Sequence, residues 1–174
     1  MEEEKVGASA KVHLEIEVVT VENPESLNFI LGQAHFIKTV EDIYEVMVQS
    51  STAVKFGLAF CEASGERLIR WDGNDDDLIK LAKTNATRIG AGHSFIIFMR
   101  NAYPISVLPA LKRVPEVATV FCASANPVQV LIGKTFLGRG IMGVIDGEEP
   151  LGRENEQQQK DRQKLLRRIG YKRG

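Results

Sequence analysis

The chain has only two cysteines, Cys61 and Cys122, and no Cys-x-x-Cys pair. That leaves a structural zinc site without its usual ligand spacing. Each cysteine lies within or at the end of an apolar run, where a reduced thiol behaves as a small hydrophobe. No apolar run approaches the roughly 18 residues of a membrane span, and no signal-peptide pattern opens the chain. A soluble, cytoplasmic protein is the expectation. The formal net charge is -1, which argues against general binding to nucleic acid or a membrane surface. The common phosphate loops are absent too. There is no Walker A pattern, no Gly-x-Gly-x-x-Gly loop after a strand, and no protein-kinase signature set. Any phosphate site in this chain is built differently.

What is present is ordinary for a globular protein: 44% hydrophobic and 26% charged residues in 174. That length suits one domain with a real core. Residues 1–11 read as a flexible leader and 12–174 as a single domain. Residues 153–174 hold eight Lys/Arg against three Asp/Glu. Such a basic tail is either a solvated helix face or a contact for nucleotide or RNA.

Periodicity supplies the elements. Residues 12–21 alternate and are rich in β-branched side chains, as in a strand. Residues 27–37 fit a strand or a short helix. Thr39 can cap a helix running to about Ser50, with Asp42 at its third position. Strands are expected at 54–61 and 67–71, joined by the turn Ala63–Glu66. A helix follows from about Asp75 to Ile89, with Asp75, Asp76 and Asp77 at its positive end and Gly90 as a left-handed stop. Further strands are expected at 94–99, 117–123, 128–133 and 141–145. A helix starts at Pro104 and another spans 162–169, docked through Leu165, Leu166 and Ile169. The alternation predicts an α/β protein: a three-layer α/β/α sandwich with a mixed sheet and inserted hairpins.

Following chain direction brings His35, Lys38, Thr39, Glu62, His93 and Arg139 to one end of the sheet. Gly90-Ala91-Gly92-His93-Ser94 is the centre of this group. It sets one of only three histidines at the entry to a strand, where glycines leave the backbone open to a ligand. A helix stop and a loop histidine would also explain the pentapeptide. The Thr39 helix start offers N–H groups to phosphate. Arg139, between Gly138 and Gly140, can clamp phosphate. Glu62 can orient an imidazole or take a proton, and His93 can act as base or nucleophile. The preceding helix presents its C-terminus, whose dipole disfavours phosphate. Glu62, Asp72 and Asp146 are the candidates for Mg²⁺, which the sequence leaves possible but unplaced.

Four runs, Asn28–Asp42 (NFILGQAHFIKTVED), Lys55–Ser64 (KFGLAFCEAS), Gly90–Phe95 (GAGHSF) and Gly138–Gly147 (GRGIMGVIDG), resemble the adenosine-specific kinase family. The resemblance covers roughly Val18 to Tyr171. It implies a three-layer α/β/α fold, a homotrimer, and binding of adenosine, AMP or ATP. It implies a histidine that carries a phosphoryl group, and His93 matches that position. The resulting expectation is an adenosine/AMP-binding phosphotransferase. Catalysis is expected from His93 and Glu62, and ligand binding from His35, Lys38, Thr39, Gly92, Arg139 and Gly140. Two readings compete with it. One is a non-catalytic adenine-nucleotide sensor using the same pocket. The other is an RNA-binding accessory protein using the basic tail, against which the net charge weighs.

Overall fold

The computed structural model describes residues 12–173; the leader expected at 1–11 lies outside the described residues. In chain order the elements are β1 (Glu15–Thr20), β2 (Asn28–Ala34), α1 (Thr39–Ser50), β3 (Lys55–Cys61), β4 (Ile69–Gly73) and α2 (Asp76–Ile89). Then follow β5 (Ser94–Arg100), α3 (Pro104–Leu111), β6 (Val117–Ser124), β7 (Val128–Lys134), β8 (Arg139–Asp146) and α4 (Glu156–Arg168). The ambiguous stretch 27–37 resolves as strand β2. No helix is long and apolar enough to cross a membrane, among the described residues.

The strands form a five-stranded sheet in the order β4-β3-β5-β2-β6 and a three-stranded sheet in the order β1-β7-β8. The α/β class holds, but the sheet is not mixed. Every pairing among the described strands is antiparallel. The reason lies in the crossovers. Helix α1 links β2 to β3, α2 links β4 to β5, and α3 links β5 to β6. Each of these pairs runs parallel, yet each has one strand inserted between its members. The helices therefore leave slots that antiparallel neighbours fill.

Two cores lie on the two faces of the larger sheet. On one face, Val40, Ile43 and Met47 of α1 and Val107 and Leu111 of α3 pack on Phe56, Phe60, Phe95 and Ile97. On the other, Leu78, Ala82, Ala86 and Ile89 of α2 share a core with Val128, Val130 and Ile132 of β7. The layers are thus helices, sheet, then helix plus small sheet. Five phenylalanines (Phe29, Phe56, Phe60, Phe95, Phe98) are fully buried, each contributing about 1.5–3 kcal/mol of hydrophobic stabilisation.

Local signals account for several boundaries. Asp75 caps α2 by accepting the Leu78 N–H at 3.1 Å, and Gly90 ends it at φ 56°. Helix α1 differs from expectation. Lys38 occupies its N-cap without a side-chain cap bond, and buried Thr39 donates its hydroxyl to the Phe36 carbonyl at 2.6 Å. Helix α4 begins earlier than its apolar stripe suggested, because Asn155 and Gln158 form a reciprocal capping box. The stripe does not dock in this chain: Leu165 is 43% and Ile169 50% exposed.

Helix α2 rests directly on β3 at Gly57. A Cβ there would fall 2.1 Å from the backbone at Leu78 and Ile79. Backbone cannot move aside as a side chain can, so Gly57→Ala should destabilise by about 3 kcal/mol, at the upper end of overpacking. For a domain of this size that lowers Tm by roughly 6–12 °C. Gly152→Ala, which meets nothing within 4 Å, should leave Tm unchanged. Thermal unfolding of both variants checks this.

Candidate functional site

Strand directions place the β3–β4 hairpin, the entry to β5 and the β7–β8 hairpin at the same end of the molecule. Between them lies a cavity of about 760 Å³, within the size range of small-molecule sites. Its walls include Glu62, Arg67, Gly92, Arg139 and Gly140, with apolar Leu68, Ile69 and Leu137. Of the candidate site residues, Glu62, Gly92, Arg139 and Gly140 meet here. His35, Lys38, Thr39 and His93 do not line this cavity.

His93 nevertheless adjoins it through Gly92. Its backbone is fixed by two strands: its N–H donates to the Cys61 carbonyl at 2.7 Å, and its carbonyl accepts from Ala34 at 2.9 Å. Its φ is 63°, in the left-handed region that side chains disfavour. The imidazole turns to the α1/α3 side of the sheet. It stacks on Phe60 (centroids 5.9 Å, planes 17° apart) and meets His35 edge-on at 6.0 Å. His93 is partly buried and His35 exposed. Neither imidazole makes a side-chain hydrogen bond among the described residues. The expected constellation is therefore divided by the sheet edge, with the histidine pair on one side and the glycine-walled cavity on the other.

The cations expected to hold phosphate are engaged within the protein. Arg139 donates from Nε to the Ile89 carbonyl at 3.0 Å and pairs with Glu17 at 2.7 Å. It also reaches the Arg88 carbonyl at 3.4 Å. It thus caps the negative end of α2, offsetting the dipole that would repel an anion at Gly90–Gly92. The hydrogen bond from Arg139 keeps Glu17 below the usual carboxylate range. Lys38 pairs with Asp42 and, at 3.0 Å, with Glu116. The N–H groups expected to be free at the α1 start are not. Those of Thr39, Val40, Glu41 and Asp42 donate to the carbonyls of Phe36, Ile37 and Lys38. Residues 36–39 form a tight turn running into the helix, so the turn consumes the donors that a bare N-terminus would offer.

Glu62 accepts from the Leu68 N–H at 3.1 Å and from Arg70 at 3.1 Å. Those two donors, the backbone N–H foremost, hold its carboxyl below the ordinary range. A carboxylate so held is charged at neutral pH and a weak base. The Mg²⁺ candidates do not converge. Asp146 accepts from Ser124 and Asn126, and Asp72 from the Gly73 N–H, both away from the cavity. Among the described residues no three His, Cys, Asp or Glu side chains gather to hold a metal ion. Cys61 and Cys122 are buried free thiols; burial raises both pKa values, that of Cys122 to about 11.

Two residues escaped the sequence reading. Arg67, read as the first residue of a strand, sits in the hairpin at φ 54° and lines the cavity. Glu116 accepts the His35 N–H through its backbone carbonyl at 2.6 Å, and its Oε2 is buried without a hydrogen-bond partner. Neither carries a motif. The dipeptide Pro115-Glu116 marks only a helix end, and Arg67 follows an ordinary turn.

No curated protein matches the chain. Among solved structures it is similar to the PH1918 protein from Pyrococcus horikoshii OT3, whose crystal structure superposes with a TM-score of 0.89. The two sequences are 44% identical over 93% of this chain and all of the other. Residues 19–172 match the family described as adenosine specific kinase. Nearly all of the fold, from the last residues of β1 to beyond α4, falls within that match, and the chain belongs to the adenosine specific kinase family.

Proposed function

We propose that the protein is a cytoplasmic phosphotransferase that binds adenosine or AMP and carries the phosphoryl group on His93. The observation supporting this most directly is the position of His93. A strained, backbone-anchored residue whose imidazole has no hydrogen-bond partner among the described residues follows Gly92, which walls the cavity. Neutral imidazole nitrogen is nucleophilic when its lone pair is not engaged.

In the first step that lone pair attacks the terminal phosphorus of ATP. The bond from phosphorus to the bridging oxygen breaks, and its electrons leave with ADP. In the second step a ribose hydroxyl oxygen of adenosine attacks the phosphorus. The P–N bond breaks, its electrons return to the imidazole, and the hydroxyl proton passes to solvent or to the freed nitrogen. Glu62, charged and tied to Arg70, sets the field at the cavity wall; it is not well suited to take the proton itself. No step is assigned to Mg²⁺.

A second reading draws on the same geometry. Among the described residues the one carboxylate on the cavity wall is Glu62, whose basicity is depressed, and burial keeps the Cys61 thiol beside it protonated. A non-catalytic adenine-nucleotide sensor needs no such base. Protein incubated with ATP and measured by intact mass, before and after acid, separates the two. The phosphotransferase reading expects one acid-labile phosphoryl group, absent in His93→Ala. It also expects phosphoryl transfer to adenosine to fall by at least about 10²-fold in that variant. AMP binding with no phosphorylated protein and no turnover leaves the sensor.

A homotrimer belongs to the same proposal. The outer face of the small sheet exposes Ile16 (60%), Val18 (55%) and Met142 (57%) together, an apolar surface of the kind that subunits cover. Light scattering should give about three times the 19.3 kDa chain mass, and Val18→Glu should shift the protein toward monomer.

A further inference from the structure

The β3–β4 hairpin holds two residues in left-handed conformation, Gly65 at φ 65° and Arg67 at φ 54°. Glycine takes this conformation freely, whereas a side chain at Cβ opposes it. The hairpin is closed around them. The Glu62 N–H donates to the Leu68 carbonyl at 3.0 Å, the Leu68 N–H returns to the Glu62 carboxylate, and the Arg67 N–H reaches the Ser64 carbonyl at 3.3 Å. An arginine is thus fixed where the backbone would favour glycine. Such outliers are a feature of binding sites.

The charged residues on the cavity wall are Glu62, Arg67 and Arg139. Glu62 pairs with Arg70 at 3.1 Å, an arginine it shares with Glu66 at 3.2 Å, and Arg139 pairs with Glu17 at 2.7 Å. Arg67 makes no ion pair and no side-chain hydrogen bond among the described residues. Of the two arginines on the cavity wall it is the one whose guanidinium is not engaged by the described residues. Across the cavity, Gly138 and Gly140 have nothing within 4 Å of a notional Cβ, so a ligand has room to approach the backbone. Leu68, Ile69 and Leu137 add apolar surface for a flat base. A planar guanidinium with all five donors free is the group best matched to a phosphate.

We infer that Arg67 binds the phosphate of a nucleotide in this cavity, and that it sets the preference for a nucleoside monophosphate over the bare nucleoside. The inference rests on the adenine-nucleotide reading of the cavity and adds the residue that discriminates between its ligands.

Calorimetric titration of the wild type and Arg67→Gly with AMP and with adenosine tests it. Glycine suits the backbone at this position, so the variant should unfold at a Tm no lower than the wild type. AMP affinity should fall at least tenfold, adenosine affinity should stay within twofold, and the salt dependence of AMP binding should flatten. Arg67→Lys should restore only part of the loss, since an ammonium cannot make the bidentate contact. Unchanged AMP affinity in Arg67→Gly overturns the assignment while leaving the cavity reading intact. Equal loss of both ligands at unchanged Tm also overturns it, because Arg67 would then be holding the nucleoside. A wild type that binds neither ligand overturns the nucleotide reading, and this inference with it.

Discussion

Arg139 joins three elements that would otherwise meet only through apolar packing. It lies at the start of β8, reaches the last carbonyls of α2, and pairs with Glu17 on β1. Its side chain is 24% exposed, so these bonds are only partly open to water. Hydrogen bonds involving a charged partner contribute about 1.5–3 kcal/mol each when so protected. Their effect on position exceeds their effect on stability. They fix the end of α2 against the small sheet, and Gly90–Gly92 follows immediately. The cavity is the space left between that anchored helix end and the two hairpins.

The strand order decides what that space contains. Because each helix crossover skips a strand, the five-stranded sheet is antiparallel throughout, and its two faces carry different layers. Helices α1 and α3 cover one face; α2 and the small sheet cover the other. At the common end, adjacent residues are sorted between faces. Gly92 walls the cavity on the α2 side, while the next imidazole stacks on Phe60 on the α1/α3 side. The His93 imidazole therefore sits at the edge between two compartments, and in the proposed reaction the accepting ligand would have to reach that edge from the cavity.

Much of this was legible in the chain itself. The acidic cap at Asp75 and the glycine at 90 marked α2 at both ends, because capping depends only on neighbours in sequence. Chain direction followed from element order, so the gathering of His35, Glu62, His93 and Arg139 at one end was recoverable. Other features were not. Thr39 has the chemistry of a cap, but burial and the turn at residues 36–39 redirected its hydroxyl to Phe36. Mixed pairing was a fair inference from alternating strands and helices, yet local pattern does not say whether a crossover skips a strand. Arg67 looked like a strand residue because nothing in a turn sequence announces left-handed backbone at an arginine.

The sequence by itself determined most of the strands and helices, residues 27–37 excepted, where α2 begins and ends, and which strand ends share one pole. All of these rest on periodicity, capping and connectivity, which act over a few residues. Tertiary structure alone decided which cations are occupied and which is free. Glu17 and Arg139 are 122 positions apart, and Lys38 and Glu116 are 78. Ion pairs depend on distance in space, and no local pattern records it. Only once the sheets were stacked did Arg139 and Lys38 acquire their partners, leaving Arg67 as the unpaired charge on the cavity wall among the described residues.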